Sequence, residues 1–136
     1  MLQAYSSNLN VAANAVFPFT NVTVDKGCAE TLSAPASIQL NQRGVYLVEV
    51  DGYGTAAAAT LVSAQLYVNG VAQPQAIGAF TGVVGSAGSF PFKTFVQVAE
   101  NNCQCNCASS PTVLQVRNGE TELTDAHINI VVTKIR

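Results

Sequence analysis

Charge is what this chain has least of. Its 136 residues include six Lys and Arg and eight Asp and Glu, so 10% are charged, and 49% are hydrophobic. A soluble domain usually carries about 25% charged residues. A chain of this length forms one domain, here residues 1–136, and buries about two-thirds of its extended surface. Fourteen charges cannot cover what remains exposed, so part of the outside is expected to lie inside a larger assembly.

Other absences exclude whole classes of function. Lys26, Arg43, Lys93, Arg117, Lys134 and Arg136 are scattered along the chain, and the net charge is −2. That pattern offers no basic stripe for phosphates, and nucleic acid is not an expected partner. No run approaches the roughly 18 apolar residues of a membrane span, so membrane insertion is not expected either. Met1 leads into the polar stretch Gln3 to Asn10 rather than a charged segment followed by an apolar one, which reads as synthesis in the cytoplasm.

What is present is alternation with a period of two, broken at short intervals by turn residues. Strands are expected at Val11 to Phe17, Asn21 to Val24, Ser37 to Leu40, Val45 to Asp51, Leu61 to Val68, Phe92 to Ala99, Thr112 to Val116 and Ile128 to Ile135. About eight short antiparallel strands without amphipathic helices are the pattern of an all-β jelly-roll sandwich. Asn69-Gly70 marks a tight hairpin, since both residues tolerate the positive φ of a type I′ turn. Residues Gly78 to Ser89 include four glycines and read as a long flexible loop. Ala56 to Tyr67 opens on four alanines and could start as a helix, but Thr60, Val62 and the apolar run into Asn69-Gly70 favour a strand.

Within Val45 to Asp51, Tyr46, Val48 and Val50 share one face, while Glu49 and Asp51 mark the other as outward. The first three are expected in the core. Phe95 on Phe92 to Ala99, with Ile130 and Val132 on Ile128 to Ile135, are expected to pack the core or a contact between subunits.

Chemistry-bearing motifs are few. Gly52-Tyr53-Gly54-Thr55-Ala56-Ala57 matches a dinucleotide fingerprint, yet no acidic residue lies between Asp51 and Glu100 to hold a ribose. The glycines are read as a strand end, and no cofactor is expected. His127 is the single histidine and begins the last strand without an evident nucleophile or carboxylate partner, so no enzyme is expected. Glu49 with Asp51, and Glu120 with Glu122, read as solvated strand faces. Asn21-Val22-Thr23 fits a glycosylation acceptor but reads as a bare strand segment.

The chemical oddity is Cys103-Gln104-Cys105-Asn106-Cys107, with Cys28 far away in sequence. The spacing does not suit zinc, and no metal is expected. Residues two apart on an extended strand lie about 6.8 Å apart, at the limit of disulfide reach. Two readings stay open. Cys28 could staple one loop cysteine within the chain, or the thiols could meet between subunits at a symmetry axis.

Several phrases resemble the C1q/TNF-like jelly-roll domains found as trimers in bacteriophage virions and on bacterial and animal surfaces. They are Asn10-Val11-Ala12-Ala13-Asn14-Ala15-Val16-Phe17-Pro18-Phe19-Thr20, Ile38 to Val48 with its Arg43-Gly44 turn and Tyr46, Leu66 to Val71, and Ile130 to Ile135. The resemblance implies a homotrimer. It also implies a structural virion protein, such as a capsid decoration, head fibre or tail-associated knob, made in the host bacterial cytoplasm. Its expected partners are other copies and capsid or tail proteins, docked through a short N-terminal segment at about residues 1–9. The alternatives are a receptor-binding tip for a host glycan or surface protein, and a bacterial surface or spore-coat module.

Overall fold

A computed structural model describes residues 1–33, 35–99 and 111–136. Among these, two antiparallel sheets pack face to face. Their strands are β1 (Leu2–Val11), β2 (Asn21–Asp25), β3 (Glu30–Ser33), β4 (Ser37–Leu40), β5 (Gly44–Ala56), β6 (Leu61–Val68), β7 (Val71–Thr81), β8 (Ala87–Ser89), β9 (Phe92–Val98), β10 (Thr112–Asn118) and β11 (Leu123–Lys134). The first sheet runs β2-β1-β11-β5, and both β8 and β9 pair along the far edge of β5. The second runs β3-β4-β10-β6-β7. This is the expected all-β jelly-roll sandwich.

The core follows from alternation. Tyr46, Val48 and Val50 on β5, and Ile128, Ile130 and Val132 on β11, are buried against Ile38, Leu40, Val62, Leu66, Leu114 and Val116 of the opposite sheet. Two aromatic side chains from the crossover after β1 complete it. Phe17 and Phe19 are buried, and the Phe17 ring lies 5.6 Å from that of Phe90. The Asn69-Gly70 turn forms as expected, with φ of 50° and 79°.

Several expectations need correction. Val11 to Phe17 is not a strand: β1 ends at Val11, and Asn14, at φ 60°, turns the chain into the crossover. Residues 1–9 are built into the first sheet, where Leu2 to Ser6 pair with β11 and Leu2 to Tyr5 with β2. The small inward residues Ala4 and Ser6, both buried, hide this alternation from a hydrophobicity reading. No helix starts at Ala56. β5 ends there and β6 begins at Leu61.

Gly78 to Ser89 is not one loop either. β7 runs to Thr81 and β8 covers Ala87–Ser89, and the glycines serve close packing. A Cβ on Gly78 would stand 2.3 Å from the Phe90 carbonyl oxygen, and one on Gly88 would stand 2.3 Å from the Phe80 ring.

The Gly52-Tyr53-Gly54 motif has the same kind of explanation. It lies inside β5, where the Phe90 amide donates to the Gly52 carbonyl at 3.0 Å and the Phe90 ring covers Gly52. A Cβ there would sit 2.5 Å from that ring. Phe90 fills the break between β8 and β9, so displacing it opens the sheet edge and the core together. Gly52→Ala is expected to cost about 1 to 3 kcal/mol through overpacking, read as a lower urea midpoint at unchanged slope. An unchanged midpoint would contradict this packing.

Candidate oligomer face and charged poles

The face of the first sheet turned away from the core mixes exposed aromatic side chains with a few charged and polar ones. β1, β11 and β5 bring Tyr5, His127 and Tyr53 into an aromatic row. The Tyr53 and His127 rings stack at 5.3 Å and 14°, and Tyr5 lies 6.1 Å from His127 on the other side. Tyr53 remains 51% exposed, and Phe95, opposite Leu47 on the neighbouring strand, 63%. Large aromatic side chains left this open on adjoining strands are characteristic of a surface that another protein covers.

Beside this row lies a depression of about 410 Å³ lined by Glu49, Asp51, Pro91, Phe92, Lys93, Asn129 and Val131. Glu49 stands opposite Lys93 and Asp51 opposite Asn129 in the strand register. The face therefore carries both signs of charge in a mainly uncharged field.

The expected site residues divide accordingly. Tyr46, Val48, Val50, Ile130 and Val132 are core, all at 2% exposure or less, and none reaches the outer face. Phe95 is not core and belongs to the outer face. Cys28 is exposed and free in the link between β2 and β3. Cys103, Cys105 and Cys107 lie outside the described residues. Tyr5, His127 and Tyr53 were missed as a group. The signal was present in the alternation Ala4-Tyr5-Ser6, Gly52-Tyr53-Gly54 and Ala126-His127-Ile128, where one aromatic stands between small or apolar inward neighbours.

Charge is sorted toward the ends of the sandwich. The ladder of β5 and β11 runs from Tyr46 opposite Lys134 at one end to Ala56 opposite Leu123 at the other. At the first end the fold collects Lys26, Arg43, Lys134 and Arg136, four of the six cations that are scattered in sequence. At the other end the β10–β11 connection carries Glu120 and Glu122, and Asp125 follows early in β11.

The first end also holds a buried polar network. Glu30, 1% exposed, accepts from the Met1 ammonium at 3.0 Å and from the Lys134 backbone amide at 2.8 Å. The Tyr46 hydroxyl donates to the Gln42 carbonyl at 2.6 Å.

Several solved structures share the fold of this chain. The globular domain of zebrafish complement 1qA superposes with a TM-score of 0.73 at 6% identity, covering 99% of this chain and 96% of that one. Eiger TNF from S. frugiperda gives 0.70 at 16% identity, covering 98% and 92%. Vertex protein P5 of PRD1 gives 0.62 at 18% identity, covering 99% and 96%. No family model matches the sequence, and no curated protein matches it. The chain has the jelly-roll fold of the C1q and TNF domains.

Burial pushes the Tyr46 phenol up to about 12 from the ordinary 10.0, and the nearby Glu30 carboxylate adds to the rise. A phenol raised in the folded state favours folding only while it stays protonated. Its contribution is intact below pH 10 and is lost as pH climbs from 10 to about 12. The urea midpoint of the native protein is expected to fall over that window more steeply than that of Tyr46→Phe. Parallel slopes would contradict the assignment.

Proposed function

We propose that this chain is a non-enzymatic, homotrimeric structural knob of a bacteriophage virion, a capsid decoration, head fibre or tail-associated protein. The observation that carries the trimer is the open aromatic face of the first sheet, with Phe95 63% and Tyr53 51% exposed in a chain that is only 10% charged. Closed cyclic association is the usual way to cover such a face without forming fibres. The virion assignment is supported by the likeness to a vertex protein of PRD1, and the partners it implies are capsid or tail proteins.

A receptor-binding tip is the second reading. The outer face of the second sheet, with Gln39, Gln65, Gln115, Ser37 and Tyr67, favours it, because amides and hydroxyls suit hydrogen bonding to a host glycan. Against it, the Tyr67 ring is already covered by Arg117, whose guanidinium carbon lies 4.4 Å from the ring centroid. That leaves no open aromatic platform there for a sugar.

The proposal for the thiols is an oxidative lock. Cys28 sits at the cation-rich end, beside Gln42, whose amide donates to its sulfur at 3.2 Å. Together with Cys103, Cys105 and Cys107 it would stay reduced in the cytoplasm and bridge subunits after release, where dissolved dioxygen is the oxidant that takes the two electrons and two protons given up per disulfide formed, and where disulfides persist.

Light scattering at micromolar concentration is expected to return three times the chain mass of 14.2 kDa. Phe95→Glu, which places a charge on an already exposed position, is expected to give a folded monomer. A native monomer, or a trimer indifferent to Phe95→Glu, would refute the face as the interface. Non-reducing gels of alkylated, released particles are expected to show trimer bands that collapse on reduction. Monomer bands with Cys103, Cys105 and Cys107 alkylated would eliminate the lock.

A further inference from the structure

We propose that Asn69-Gly70, at the tip of the β6–β7 hairpin, is a self-modification site at which the Asn69 side chain loses ammonia through a cyclic imide. The sequence holds a second Asn-Gly pair, Asn118-Gly119. In both, the glycine amide nitrogen, unshielded by a side chain of its own, can attack the Cγ of the preceding asparagine. The fold frees the reacting groups of one pair and engages those of the other.

Asn69 and Gly70 are exposed and sit at φ 50° and 79°. The Asn69 side-chain carbonyl accepts from the Val113 amide at 2.8 Å, a bond that draws electron density from Cγ. The leaving group, its amide nitrogen, has no hydrogen-bond partner among the described residues, and neither has the nucleophile, the Gly70 amide. A Cβ on Gly70 would meet nothing within 4 Å, so the approach is open as well. Ring closure needs the Asn69 ψ near about −120°, the value of a type II′ turn, where a type I′ turn has about +30°. Rotating the peptide plane between Asn69 and Gly70 converts one turn into the other. The Asn69 main-chain carbonyl is also unbonded among the described residues, so this flip breaks no hydrogen bond. A residue other than glycine is strained in the flipped form and visits it only transiently.

As the ring closes, the Gly70 nitrogen bonds to the Asn69 Cγ and gives its proton to solvent. The bond from Cγ to Nδ2 breaks, and that nitrogen takes up a proton and leaves as ammonia. Water, the one co-reactant, then opens the imide. Opening at the side-chain carbonyl gives aspartate, and opening at the main-chain carbonyl gives isoaspartate, which lengthens the backbone of a two-residue turn. Either product adds a negative charge to a chain that has fourteen charged side chains.

Asn118-Gly119 has the opposite arrangement. Asn118 is 4% exposed, and its Nδ2 faces the Val11, Ala12 and Thr121 carbonyls at 3.2, 3.1 and 2.8 Å, which hold the leaving group in place. Its buried Oδ1 has no donor to polarise Cγ. The Gly119 amide donates to the Ser63 carbonyl at 2.8 Å, so the nucleophile is engaged and a peptide flip would break a bond between β6 and the end of β10. Both pairs are complete within one chain, and the inference does not rest on the trimer.

The test incubates the full chain in mildly alkaline buffer, folded and unfolded in guanidinium chloride, and follows both pairs by peptide mass mapping while released ammonia is measured. In the unfolded chain the two pairs share one local chemistry and are expected to react at similar rates. In the folded chain Asn69 is expected to go on reacting, to aspartate and isoaspartate. Asn118 is expected to fall about a hundredfold below its unfolded rate, as for the loss of several buried hydrogen bonds. Asn69→Asp, which keeps an acceptor for the Val113 amide, is expected to abolish ammonia release at this position without unfolding the chain. An intact Asn69 in a folded chain whose unfolded form reacts, or modification of Asn118 as fast as Asn69 in the folded chain, would overturn the assignment.

Discussion

Strands β5 and β11 carry the structure because each must serve two surfaces with one alternating sequence. On the inner side, Tyr46, Val48 and Val50 lie beside Ile128, Ile130 and Val132 and pack on the second sheet. On the outer side, the same two strands hold Tyr53 and His127 in a stack and line the depression around Glu49, Asp51 and Asn129. A slip of one residue in their register would exchange these sets and put two carboxylates inside. The core and the proposed subunit contact are therefore specified by the same pairing, and neither can shift without the other.

The ends of the sandwich divide the remaining work. At one end the chain termini, Glu30, Tyr46 and most of the cations meet, tied by buried hydrogen bonds. At the other end acidic residues accompany open aliphatic side chains, with Leu61, Val83 and Val84 all about 60% exposed. The side of the knob would then hold subunits together through aromatic contact. A chain with so few charges can still present a polarised surface because the fold concentrates those it has.

Much of this was legible in the sequence where large apolar residues alternate. Tyr46-Val48-Val50, Leu61 to Val68 with Asn69-Gly70, and Thr112 to Val116 all fell where their patterns put them. The reading failed where small residues carry the inner face. Ala4 and Ser6 conceal β1, and Gly78 and Gly88 read as flexible although they are the positions where Phe90 and Phe80 pack too closely for a side chain. β3 was invisible for a different reason. Its fully buried residue is Glu30, bound to the Met1 ammonium and the Lys134 amide, neither of them near in sequence. The cation cluster was hidden likewise, since Arg43 and Arg136 meet only through strand pairing.

Hydroxyl-radical footprinting of Phe95 and Tyr53, at concentrations above and below the point where the oligomer dissociates, tests the central claim most directly. Both side chains are more than half exposed in the single chain. The account predicts that their labelling drops together as the oligomer forms, while exposed side chains of the second sheet, such as Leu61 and Val71, keep their rate. Equal labelling of Phe95 and Tyr53 in the associated and dissociated states would show that the aromatic face of the first sheet is not where the subunits meet.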